Sequence, residues 1–104
     1  MKSWVGLEGR TLSSKKKRQA EYEEKIKQAI EILQIVAADN TTPRNIRRAA
    51  KECIDRLQSD KLSIAARSAS AMEILEEISQ DPNMPIYTRT RLWQAISYLE
   101  GIKD

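Results

Sequence analysis

From Tyr22 onward, apolar residues fall at three- and four-residue steps. Tyr22, Ile26, Ala29, Ile30, Leu33, Val36 and Ala37 form the first series, which lies along one stripe of a helix with 3.6 residues per turn. Ser13 or Ser14 can cap its start, and the period predicts a helix to about Ala38. Asp39-Asn40-Thr41-Thr42-Pro43 interrupts the pattern. Thr42 is a good N-cap, and Pro43 suits the first helical position, where its missing N–H costs nothing. A second helix to about Ser59 is predicted to bury Ile46, Ala50, Cys53, Ile54 and Leu57. Asp60-Lys61-Leu62-Ser63 connects it to a third, from about Ile64 to Ser79, with Ala71, Met72, Leu75 and Ile78 inward. The first half of that helix holds Ala65, Ala66, Ser68, Ala69 and Ser70, small enough for a neighbour to approach closely. After Asp81-Pro82-Asn83-Met84-Pro85, a fourth helix carries Leu92, Trp93, Ile96 and Leu99 as its apolar stripe.

The pattern repeats. At an offset of 42 residues, Ala29-Ile30-Glu31-Ile32-Leu33 matches Ala71-Met72-Glu73-Ile74-Leu75. Asp39 falls on Asp81, Pro43 on Pro85, Arg47 on Arg89, Ile54 on Ile96 and Leu57 on Leu99. Amphipathic helices match at aliphatic positions by chance, but not so readily at Asp, Pro and Arg in one register. The repeat therefore points to an internal duplication: helical hairpins at residues 22–61 and 64–103, each hiding the apolar face the other cannot bury alone. The expected fold is all-α, a four-helix bundle over residues 20–104. Residues 1–12 lack a period and contain Gly6 and Gly9, and they read as part of an extended basic arm spanning residues 1–19.

Composition narrows the function more than the fold. The 104 residues include one Cys and no His. Without His, the usual general base and the commonest metal ligand are missing. A lone Cys forms neither an internal disulfide nor a zinc site; in the middle of an apolar stripe, Cys53 reads as a small core residue. The paired carboxylates Glu23/Glu24 and Glu76/Glu77 fall on exposed helix faces, and Asp39 and Asp81 at turns, where a cleft with separated pKa values is not expected. There is no phosphate-cradling Gly-rich loop, no EF-hand spacing, no signal-like start and no apolar run of membrane-spanning length. The expectation is a cytoplasmic, non-enzymatic protein with no cofactor, metal, small-molecule substrate or membrane partner.

The charge is unevenly placed. Residues 1–19 hold Lys2, Arg10, Lys15, Lys16, Lys17 and Arg18 against Glu8 alone, a local +5 in a chain of net +3, so the remainder carries −2. A terminal block of one sign reads as an interaction tail, and such tails bind phosphate backbones by counterion release. Trp4 can stack on an exposed base or enter a hydrophobic pocket. A second basic group, Arg44, Arg47, Arg48 and Lys51, crowds the first half of the second helix. Cations there oppose the helix dipole by ~0.3–1 kcal/mol each, which suggests an anionic partner such as phosphate. The competing reading is structural: Arg47 and Arg89 each follow a Glu (Glu31, Glu73) at the same distance, so each hairpin could hold a Glu–Arg bridge.

The blocks Asn40-Thr41-Thr42-Pro43-Arg44-Asn45-Ile46-Arg47-Arg48-Ala49-Ala50 and Ile78-Ser79-Gln80-Asp81-Pro82-Asn83-Met84-Pro85, followed by Thr88-Arg89-Thr90, resemble the archaeal uncharacterised protein family 0147. The resemblance runs from about residue 22 to the C-terminus. It implies an archaeal, cytoplasmic, all-α protein, and it brings no activity or site residues. The residues themselves favour an RNA-binding accessory protein, ribosome-associated, contacting rRNA and neighbouring ribosomal proteins. Its expected contacts are Lys2, Trp4, Arg10, Lys15, Lys16, Lys17, Arg18, Arg44, Arg47, Arg48 and Lys51. The alternative is a protein–protein adaptor, such as a homodimer formed through an apolar helix face.

Overall fold

The computed structural model describes residues 2–103, with side chains from Lys16 onward. It contains α1 (Lys2–Ala38), α2 (Arg44–Leu57), α3 (Ile64–Ile78) and α4 (Ile86–Glu100), and no strand occurs among the described residues. α1 packs on α2 and α4, and α3 packs on α2 and, less extensively, on α4. α1 and α3 barely meet, and α2 and α4 do not meet at all. The helices therefore occupy the corners of a square, with α2 and α4 on one diagonal, as expected when short turns make successive helices antiparallel neighbours.

The core is the set of apolar stripes. Ile26, Leu33 and Val36 of α1, Ile46, Cys53 and Leu57 of α2, Leu75 of α3, and Leu92 and Leu99 of α4 are all buried. Each large aliphatic side chain so placed contributes about 1.5–3 kcal/mol. Ala29, Ala50, Ala71 and Ala95 are buried among them. Met84 and Ile102, outside the helices, close the two ends.

Three expectations are corrected. The first twelve residues do not form an extended arm: the helix begins at Lys2 and α1 has 37 residues. Gly6 and Gly9 each cost a helix roughly 1 kcal/mol but do not stop it, and no proline precedes Pro43. At about 1.5 Å per residue, α1 is ~55 Å long, which accounts for the 62 Å long dimension of the molecule.

Trp93 is not a core residue, being 61% exposed. The inward stripe of α4 runs through Thr88, Leu92, Ala95 and Leu99. At 100° per residue Trp93 lies well off that line, and the small Ala95 occupies the position its bulk seemed to claim.

Pro43 and Pro85 are the N-cap residues of α2 and α4, one position earlier than expected, and neither helix has a side-chain cap. Thr42 turns inward instead, its Oγ1 lying 3.3 Å from that of Thr88. The preceding turns are built alike. Asp39 accepts from the Thr41 amide at 2.9 Å and Asp81 from the Asn83 amide at 2.8 Å, an Asx turn in each case. Asn45 then donates across to Asp81 at 2.6 Å, while Tyr87 meets Thr41, so each turn is tied to the helix that follows the other.

Candidate nucleic-acid interface

The apolar stripe of α2 fixes where its cations point. With Ile46, Ala49, Ala50, Cys53 and Leu57 buried, Arg44, Arg48 and Lys51 stand on the opposite face, exposed, and Arg47 lies half-buried at its flank. The four side chains line a concavity of about 360 Å³ to which no carboxylate contributes. No acidic residue occurs in the first turn of α2, so the positive end of the helix dipole adds to the four cations.

Three arginines elsewhere in the body have acidic partners. Arg56 meets Glu52 at 3.6 Å, Arg67 meets Glu23 at 3.3 Å and Arg91 meets Asp39 at 3.9 Å. None of the four α2 cations makes an ion pair among the described residues. The Nε of Arg47 is buried without a hydrogen-bond partner.

The expected bridges from Glu31 to Arg47 and from Glu73 to Arg89 are not formed among the described residues. Arg89 donates instead to the carbonyls of Ser79 at 2.7 Å and Asp81 at 3.3 Å. The last carbonyls of α3 lack helical partners, and a guanidinium fork can serve two of them at once.

Lys16, Lys17 and Arg18 are exposed on α1. Twenty residues of helix separate Arg18 from Ala38, about 30 Å, and α2 begins just after Ala38. The two basic groups are therefore not brought together. Between them, α1 contributes Glu23, Glu24 and Glu31, with Lys27, to a groove of about 680 Å³ that Leu57, Gln58 and Arg67 also line. Lys2, Trp4, Arg10 and Lys15 lie outside the described side chains.

Among the described residues, three groups titrate away from their ordinary values. The hydroxyl and amide of Thr41 hold Asp39 low. The Asn83 amide, then the Asn45 side chain, hold Asp81 low. Burial, with a smaller push from Glu52, raises the Cys53 thiol to about 12; its Sγ donates to the Ala71 carbonyl at 3.6 Å. Glu23, Glu24, Glu76 and Glu77 are exposed. Among the described residues no group of three or more His, Cys, Asp or Glu is placed to hold a metal ion, and no helix is long and apolar enough to cross a membrane.

The residue pattern missed the outward face of α4, where Ile86, Tyr87, Trp93 and Tyr98 are exposed. The available signal was Ala95, which completes the inward stripe and leaves Trp93 outside it.

Comparison with known proteins places this arrangement in a family. A UPF0147 protein of Sulfurisphaera tokodaii is 57% identical over 82 residues, covering 79% of this chain and 92% of the relative. One from Aeropyrum pernix is 52% identical over 85 residues, covering 82% and 93%. Two crystal structures share the fold. MMP1188, a protein of unknown function, has a TM-score of 0.74 and 44% identity, covering 77% of this chain and 91% of its own. A UPF0147 protein from Thermoplasma acidophilum has a TM-score of 0.76 and 28% identity, covering 81% and 99%. The profile of UPF0147, described as an uncharacterised protein family, matches residues 13–102, and the chain belongs to that family.

Proposed function

We propose that this is a non-enzymatic, cytoplasmic RNA-binding protein, associated with the ribosome, whose primary RNA contact is the cationic face of α2. One observation carries the reading: Arg44, Arg47, Arg48 and Lys51 surround a single concavity, unneutralised by any described carboxylate. An unpaired cationic cluster beginning at the positive end of a helix is poorly explained by folding, because Arg44 and Arg47, in the first turn, oppose the dipole. A phosphate backbone relieves that opposition and releases its counterions.

The basic segment at residues 1–19 supplies the second contact in this reading. As a helix its reach is ~28 Å, at 1.5 Å per residue, against the ~60 Å of an extended strand. It therefore engages RNA as a rod continuous with the body. The ~30 Å between the groups, with Glu23, Glu24 and Glu31 between them, favours two phosphate contacts spaced along one RNA over a continuous groove. rRNA, with neighbouring ribosomal proteins, offers such spaced backbones.

We also read the two hairpins as copies of one unit. The matched prolines capping α2 and α4, the matched Asx turns at Asp39 and Asp81, and the reciprocal ties from Asn45 and Tyr87 support this.

The test is a salt titration of RNA binding by the full chain, with co-sedimentation on ribosomes as a second readout. Six phosphate contacts on a duplex give a log–log slope of about −5. Reversing Arg44 and Arg48 together to Glu should weaken binding and shallow the slope by about 2. Replacing Lys15, Lys16, Lys17 and Arg18 by Gln should shallow it further. Unchanged affinity and slope in both variants would defeat the proposal.

A further inference from the structure

The helices differ greatly in length. α1 has 37 residues, while α2, α3 and α4 have 14 or 15. Among the described side chains of α1, the first buried one is Ile26, and Lys16 to Glu21 are all exposed. At 1.5 Å per residue, residues 2–19 add ~27 Å of rod ahead of the buried stripe.

One line along that rod carries both signs of charge, sorted by half. In the C-terminal half, Ala20, Glu23, Glu24, Lys27 and Glu31 border the groove of about 680 Å³ that Leu57, Gln58 and Arg67 close on its other side. At 3.6 residues per turn, the same line continues toward the N-terminus through Lys17, Lys16, Ser13 and Arg10. Glu23 already holds Arg67 at 3.3 Å. Glu24 and Glu31 are exposed and make no ion pair among the described residues, and the same is true of Lys16 and Lys17. Arg18 and Lys25 lie away from the line, Lys25 over the Tyr22 ring.

We propose that this line is a self-association surface, with α1 of a second copy lying antiparallel in the groove across a two-fold axis at Ala20. Charge complementarity names the occupant. An axis at Ala20 sets residues equally far before and after it against one another. Lys16 then faces Glu24 of the second copy, Lys17 faces Glu23, and Arg10 lies beside Glu31. The symmetry makes each contact twice. Lys27, the one cation on the line in the acidic half, meets the small Ser13 instead of a like charge. A parallel pair would set lysine against lysine. A polyanion fits only the cationic half, because Glu24 and Glu31 repel it from the groove; a second copy fits the whole line. Exposed ion pairs each contribute little and are screened by salt, so the pair should form at micromolar concentration in low salt and separate as salt is raised. The inference is independent of the RNA reading, although RNA and the second copy compete for Lys16 and Lys17.

Sedimentation equilibrium of the RNA-free full chain at low salt, from low micromolar to millimolar concentration, tests it. Wild type is expected to pass from monomer to dimer over that range and to shift back toward monomer in high salt. Glu24→Lys with Glu31→Lys, both at exposed positions, should keep the helical circular dichroism and weaken dimerisation by about tenfold or more. Lys16→Glu with Lys17→Glu should do the same. All four changes in one chain return the net charge to +3 and re-create the complementarity, so they should restore the dimer, which a loss through misfolding would not. Arg18→Glu, away from the line, should dimerise as wild type. A wild type that stays monomeric to millimolar concentration would overturn the proposal. So would double variants that dimerise unchanged, or a four-fold variant that pairs no better than either of them. So would a dimer that appears only when RNA is added, which would give the lysines to phosphate.

Discussion

Thr42 and Thr88 face one another with hydroxyl oxygens 3.3 Å apart, at 2% and 1% exposure. One residue precedes the cap of α2 and the other lies in the first turn of α4, so the pair is the buried member of the ties between these two helix starts, beside the exposed ones from Tyr87 to Thr41 and from Asn45 to Asp81. Changing either residue to Val keeps the shape but leaves the other hydroxyl buried without this partner, and should cost about 1–3 kcal/mol. The double change removes both polar groups and should cost less than the sum of the singles. Urea unfolding of the four proteins checks this; strict additivity would mean the hydroxyls do not interact.

Acid should loosen the same region. Asp39 and Asp81 titrate below the ordinary carboxylate value because their charged forms accept hydrogen bonds from Thr41, and from Asn83 and Asn45. A lowered pKa in the folded state adds stability above the unfolded pKa, and that stability is lost as pH falls through the folded value. The urea midpoint should therefore hold steady near neutrality and drop below about pH 4. Asp81→Asn, which accepts the same bonds without charge, should be less stable at pH 7 and show a smaller drop. An equal drop in wild type and Asp81→Asn would sink this assignment.

Cys53 should be inert while the protein is folded. It is fully buried, and its thiol is raised to about 12, so thiolate at pH 8 is scarce and inaccessible. A thiol reagent should modify it only as fast as the protein unfolds, with the rate rising in urea. Cys53→Ser should destabilise by about 1–3 kcal/mol, since it places a hydroxyl in an apolar site. Immediate labelling in native buffer would show that the site opens without unfolding.

Most of the fold was legible because apolar spacing and proline record the same boundaries. Ala38, Ile64 and the two Pro-containing turns fall where the period breaks. What misled was size. Trp93 drew attention from Ala95, although in a close-packed bundle the small residue lies nearest the neighbouring helix. The start of α1 misled because glycine weakens a helix without forbidding it, and the first twelve residues carry no apolar period to mark one. At the candidate site, the exposure of Arg44, Arg48 and Lys51 followed directly from the stripe of α2. The role of Arg89 did not: its partners are backbone carbonyls at the end of α3, which carry no side-chain signature. The contrast between the two basic groups was also hidden, since their separation depends on the length of α1.

The diagonal placement of α2 and α4 sets the valence of the molecule. α2 presents Arg44 and Arg48, α4 presents Trp93, and no helix–helix contact joins the two. The molecule thus offers two separate faces, and a change to the side chains of one leaves the packing of the other in place.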